Sequence, residues 1–105
     1  LVLPGVLRFN AADAWAAKKY AELFPFLFPN EEIGNNNQTN ASLFIENLST
    51  LSKDLGLPQK LRDVSIPEDA CESMAKDAMK QTRLLVNNPR EVTEKDAYDI
   101  YRSIW

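Results

Sequence analysis

A chain of 105 residues, 45% hydrophobic and 26% charged, carries apolar material for one core, held to modest stability by the large surface share of small domains. The formal charge of -3 excludes the basic stripe of a nucleic-acid surface, and no apolar run approaches the roughly 20 residues of a membrane-spanning helix. A single cysteine, Cys71, excludes an internal disulfide and gives no sign of an oxidising compartment, so a cytoplasmic location is expected.

In chain order, the apolar stretch Leu1 to Phe9 reads as the tail or exit of a longer helix, interrupted by Pro4 and Gly5. A chain that opens on Leu1 rather than Met is expected to be a piece of something longer. Asn10 is placed to cap the next helix, with Asp13 three positions on to complete a box-like start. The Ala-rich segment that follows carries Ala16, Tyr20, Leu23 and Leu27 at helical spacing, and Pro25 should end or kink it. Pro29, two glutamates, Gly34 and an asparagine run mark Phe28 to Gln38 as a surface loop.

The next helix is expected from Thr39 or Asn40 to Leu55, with Phe44, Leu48, Leu51 and Leu55 as its apolar stripe. Gly56 stands where a left-handed cap is wanted, and Pro58 prevents continuation. Leu57 to Val64 reads as turn-like, with room for a single helical turn. Pro67, Glu68 and Asp69 open a further helix reaching Met79 or Lys80, with Met74, Ala75 and Ala78 inward. After the Asn87-Asn88-Pro89 loop, Thr93 and Asp96 form a capping box for a last helix that buries Ala97, Ile100, Tyr101 and Ile104. The fold class is therefore all-α: one domain over residues 1–105, a bundle of about four to five helices.

Chemistry is scarce. There is no histidine, so zinc sites of the usual nitrogen and sulfur kind are excluded, and a serine or cysteine nucleophile would have no imidazole base. The three glycines punctuate helices and make no phosphate loop. Glu68 with Asp69 reads as helix-end electrostatics, Glu31 with Glu32 as a solvated loop, and Cys71 as a small packed side chain. The triplets beginning at Asn37, Asn40 and Asn47 match the glycosylation pattern, but an Asn-rich chain produces them by chance. No catalytic, metal-ligating or cofactor-binding residue is assigned to this chain.

Several ordered segments carry a resemblance. Asn88-Pro89-Arg90, the cap Thr93-Glu94-Lys95-Asp96, and Ile100-Tyr101 with Trp105 lie between Ala78 and Trp105. That segment resembles the C-terminal end of the iron-containing (group III) alcohol dehydrogenases. Leu55-Gly56-Leu57-Pro58 with Leu61-Arg62-Asp63-Val64-Ser65-Ile66 is similar to that family's Gly-Ile-Pro and Leu-Arg-Asp-Val-Gly-Val stretch. Leu3-Pro4 with Val6-Leu7-Arg8-Phe9-Asn10 is similar to the segment directly after its metal-binding Pro-His-Gly turn.

The resemblance implies the C-terminal helical domain of the dehydroquinate synthase-like architecture, with a nucleotide-binding α/β domain upstream and an active site in the cleft between. It further implies an NAD(P)-linked oxidoreductase in which a divalent metal, iron or zinc, polarises a carbonyl oxygen during hydride transfer between alcohol and aldehyde or ketone. The metal ligands would lie upstream of Leu1, so this segment alone is expected to be inactive and to bind neither group. Many relatives place a cysteine near the substrate pocket four residues before the Asn of Asn-Pro-Arg. Leu84 occupies that position here, which implies a more apolar substrate-pocket wall. Asn88 and Arg90 read as residues that fix their loop.

Partners follow from the same picture: the nucleotide-binding domain of the intact enzyme, no nucleic acid and no membrane. Self-association is expected through apolar surface around Leu1, Val2, Leu7 and Phe9, and near Leu84 and Leu85. A free-standing helical interaction module derived from such a domain is the alternative. A relative that runs another reaction on the same architecture, such as glycerol oxidation or maleylacetate reduction, is a further one.

Overall fold

The computed structural model describes residues 1–105 and contains helices and loops without a strand. Six α-helices occur in order: α1 (Leu3–Asn10), α2 (Ala14–Leu27), α3 (Asn37–Asp54), α4 (Ala70–Ala78), α5 (Thr82–Leu85) and α6 (Glu94–Ser103). A 3-10 turn over Leu61–Val64 lies between α3 and α4. The count exceeds the expected four to five because α5 is a single extra turn and because Pro4 and Gly5 do not break α1. Pro4 sits in the first turn, where a missing N–H costs nothing. Gly5 is buried against α6; a Cβ there would lie 3.0 Å from Ile104 Cγ2 and 3.4 Å from Ile100 Cγ2. The glycine thus sets how closely α1 and α6 approach.

The second helix is capped differently from expectation. Asp13, in extended backbone, accepts a 2.9 Å hydrogen bond from the Ala16 N–H, whereas Asn10 is the last residue of α1 and is buried. Asn10 therefore cannot cap α2. The apolar stripe of α2 is also rotated: Ala16, Ala17, Ala21 and Phe24 face the core, while Leu23 and Leu27 are exposed. Small alanines let α2 lie close to α3, with Phe24 buried and Tyr20 stacked on Phe44 as its large inward side chains, so the stripe follows the small residues. Pro25 stops the helix within a turn, at Leu27, and the Phe28 N–H closes the end on the Phe24 carbonyl at 2.9 Å.

The third helix starts earlier than expected. Asn36 is its cap, accepting from the Thr39 N–H at 2.8 Å, so the asparagine run is partly a helix start. Its buried face is Asn40, Ala41, Phe44 and Ile45; Leu51 and Leu55, expected inward, are exposed. Gly56 does adopt positive φ (74°), and its N–H and that of Leu57 bond back to the Lys53 and Ser52 carbonyls, a Schellman end. The helix α4 begins at Ala70 rather than at Pro67, because Pro67 to Asp69 form a tight turn whose carbonyls take the Ala70 and Cys71 N–H groups.

Two apolar clusters result. Phe24, Phe44 and Ile45 fill the first, with Leu7, Tyr20, Phe28 and Leu48 around them; Leu61, Cys71 and Ile104 fill the second, with Leu1, Val2, Met74 and Tyr101. Burial of each large side chain contributes about 1.5–3 kcal/mol. Helix α1 contacts both α3 and α6 and so joins the α2–α3 pair to the α4–α6 pair. The molecule extends over 40 × 30 × 19 Å.

Candidate functional site

Of the residues that carried the resemblance, Asn88 and Arg90 meet Phe9 and Asn10 at the end of α1, beside α5. Asn88 Nδ2 donates to Asn10 Oδ1 at 2.8 Å, and Asn10 Nδ2 returns a bond to Asn88 Oδ1 at 2.9 Å. Asn88 Nδ2 also donates to the Arg90 carbonyl at 2.7 Å, which fixes the turn around Pro89. The Arg90 guanidinium donates to the Phe9 carbonyl, and its carbon lies 3.9 Å from the centre of the Phe9 ring. Contact of that kind adds about 0.5–2 kcal/mol depending on desolvation. Asn88 and Arg90 thus clasp the C-terminal end of α1, an orphan-carbonyl end, and hold α5 beside it.

Behind the clasp is a mainly apolar cavity of about 160 Å³, bounded by Val2 just before α1, Val6 and Phe9 of α1, Leu85 of α5, and Ile100 and Tyr101 of α6. Leu85 lines it; Leu84, the expected pocket-wall residue, does not. Leu84 is 61% exposed on the outer side of α5 and touches neither apolar cluster.

The second segment of the resemblance is fixed from the other direction. Asp63 Oδ2 accepts from the Gln59 and Lys60 N–H groups at 3.2 and 2.9 Å, which closes the 3-10 turn and buries Leu61. The Leu61 N–H donates to the Ile104 carbonyl at 3.0 Å, and Trp105 Nε1 donates to the Ile66 carbonyl at 3.0 Å. Arg62 lies 5.0 Å above the Trp105 ring. The capping box of α6 forms as expected: Thr93 N–H and Oγ1 both engage Asp96, and the Thr93 hydroxyl, then its N–H, hold the Asp96 carboxyl below its ordinary value.

No three residues among His, Cys, Asp and Glu come together as a metal-holding group, and Cys71 is buried in the second cluster. The side chains present therefore do not fit a metal centre, nor does any glycine-rich loop offer backbone N–H groups to a pyrophosphate. No helix is long and apolar enough to cross a membrane. The apolar surface expected around Leu1, Val2, Leu7 and Phe9 is a correction. Leu1 and Val2 pack on the second cluster, Leu7 on the first, and Phe9 lies beneath Arg90, so all four are half-buried. Near Leu85, by contrast, Leu84 is exposed as expected, with Val86 close by; Leu3 is exposed on α1, and Phe26 on α2 is the most exposed large apolar side chain.

The chain is an all-helical unit whose α1 end is held by an Asn-Pro-Arg clasp. The family model for the C-terminal part of the Fe-containing alcohol dehydrogenases matches residues 1–105, and the chain belongs to that family. Among curated relatives, the 1,3-propanediol dehydrogenase of Citrobacter freundii is 33% identical over 102 residues, covering 97% of this chain and 25% of that enzyme. Long-chain-alcohol dehydrogenase 1 of Geobacillus thermodenitrificans is 34% identical over 98% of this chain and 25% of its own length. Lactaldehyde reductase of Escherichia coli K12 is 28% identical over the whole chain and 26% of its own length. A crystal structure of a 1,3-propanediol oxidoreductase superposes with a TM-score of 0.87 at 30% identity, over 99% of this chain and 26% of that one. The 105 residues thus span about a quarter of the length of these relatives.

The sequence reading missed Asn10 and Phe9 as partners of the clasp. Asn10 resembled a cap because an amide before an Ala-rich run fits a cap equally well; its true partner lies 78 positions away.

Proposed function

We propose that these residues act as one helical domain, the C-terminal wall of the substrate cleft in an NAD(P)-linked, metal-dependent alcohol dehydrogenase. The observation that carries this reading is the whole-chain agreement with a 1,3-propanediol oxidoreductase, at a TM-score of 0.87 and 30% identity. When bound, iron or zinc would polarise the carbonyl oxygen while the nicotinamide exchanges hydride with the carbon. Neither group is held by residues of this chain. Its part is positional: the clasp formed by Asn10, Asn88 and Arg90 sets where α5 stands, and α5 presents Leu84 to the cleft as an apolar, water-excluding wall. A branched aliphatic side chain at that point favours alcohols with an apolar tail over polyols.

The test is a chimera in which this chain replaces the corresponding quarter of the Citrobacter freundii 1,3-propanediol dehydrogenase. The expected result is a folded enzyme with metal-dependent alcohol oxidation, while the 105 residues alone give no turnover and no heat on titration with NAD(H). Exchange of Leu84 for Ser in the chimera should raise KM for apolar alcohols while leaving NAD(H) affinity unchanged. A chimera that binds metal and nucleotide yet oxidises no alcohol, or micromolar NAD(H) binding by the chain alone, would refute the reading.

A further inference from the structure

The outer face of α2 is a candidate surface that the cleft does not account for. Trp15, Leu23, Phe26 and Leu27 are exposed on α2, and Ile33 is exposed on the segment that follows it. Trp15 and Leu23 are eight residues apart with Lys19 between them, and Phe26 follows, so they form one stripe roughly 18 Å long at 1.5 Å per residue. Phe26 is 84% exposed and Trp15 61%. The opposite face, with Ala16, Ala17, Ala21 and Phe24, is already packed, principally against α3. The stripe is therefore surplus to the fold of this chain. Patches of this kind mark interaction surfaces.

From this face we infer that the chain self-associates as a two-fold pair, α2 against α2 of a second copy, running antiparallel. Charge chooses the occupant and its direction. Lys18, on the N-terminal half of α2, forms no ion pair within the chain, and neither do Glu31 and Glu32 beyond its C-terminal end. In an antiparallel pair each copy's Lys18 meets the other's Glu31 and Glu32, and the opposed helix dipoles attract; a parallel pair would set Lys18 against Lys18. The five apolar side chains offer roughly 100 Å² each, so two copies would cover about 1,000 Å², the lower bound of a specific interface. The inference is independent of the dehydrogenase reading.

Sedimentation velocity over about 1–200 μM tests it, with a dimer of micromolar dissociation constant expected for a small interface. Phe26→Asp, whose side chain supports no packing in the monomer, should raise the dissociation constant more than about tenfold, as loss of a central aromatic anchor does. Leu84→Asp, on α5, should leave it unchanged. Lys18→Glu should weaken the pair, and mixing it with the Glu31→Lys, Glu32→Lys double variant should restore a mixed dimer. Circular dichroism of each variant separates lost pairing from lost folding. A strict monomer at the highest concentration, or a dimer untouched by Phe26→Asp and abolished by Leu84→Asp, would overturn the proposal.

Discussion

The reciprocal amide pair between Asn10 and Asn88 makes a quantitative claim about what joins the two ends of this chain. Asn10 is 3% exposed and both arms of its amide are spent on Asn88, at 2.9 and 2.8 Å. Asn88→Ala removes both bonds and the 2.7 Å bond to the Arg90 carbonyl, and strands a buried amide donor and acceptor. Each stranded group costs about 1–3 kcal/mol; with water reaching the half-buried Asn88 side of the pair, the loss should be about 2–4 kcal/mol. Asn10→Ala strands the Asn88 amide, which water can serve, so it should cost less, about 1–2 kcal/mol. The double substitution should fall short of the sum by about 1–2 kcal/mol, the coupling of two groups in direct contact. Urea unfolding followed by far-UV circular dichroism, with a constant slope across variants, measures all four corners of the cycle. Additive losses, or an Asn88→Ala cost below about 0.5 kcal/mol, would mean that the clasp does not hold α1 to the α5–α6 junction and that the amides merely touch.

Three further outcomes follow from the packing and electrostatics. Gly5→Val should destabilise by about 1–3 kcal/mol in thermal or urea melts, because even a Cβ at Gly5 lies 3.0 Å from Ile104 Cγ2 and the buried α6 face has little room to retreat. Trp105→Phe should cost about 1 kcal/mol for the lost bond to the Ile66 carbonyl; Trp105→Ala should cost more, as it also uncovers Leu61 and the Arg62 contact. The Asp96 carboxyl is held below its ordinary value of 3.8, chiefly by the Thr93 hydroxyl. Its cap therefore stabilises the fold above that value and is lost as pH falls through the lower folded one. Acid unfolding curves of Asp96→Asn should accordingly be flatter than wild type across that window, and an unchanged slope would contradict the assignment.

What the sequence made legible divides along a physical line. The capping box at Thr93 and Asp96, the left-handed Gly56 and the start of α6 are local: the partners lie within four residues, so residue type alone reveals them. The rotation of α2 was not legible, since Leu23 and Leu27 have the same spacing as a core stripe, and only the closeness of α3 decides that alanines go inside. Nor was the true role of Asn10 legible, because an amide serves a cap or a long-range pair with the same atoms. Likewise, Leu1 and Leu7 are expected at a surface that an upstream domain would cover, and both instead find partners within the chain, in the second and first clusters.

The residues that carried the family resemblance turn out to be those with the strictest geometry. Asn88 must present both arms of its amide to Asn10, Asp63 must reach two backbone N–H groups, and Trp105 must aim its indole at one carbonyl. None of these demands depends on the substrate. The pocket wall proposed at Leu84 would demand only volume and polarity, which many side chains satisfy, so that position would be free to change with the substrate. Under the proposed function, the clasps would specify the frame, and specificity would be carried at Leu84, which they leave exposed. Substitutions at Asn10, Asn88 or Trp105 should therefore register as stability, and substitutions at Leu84 as substrate preference.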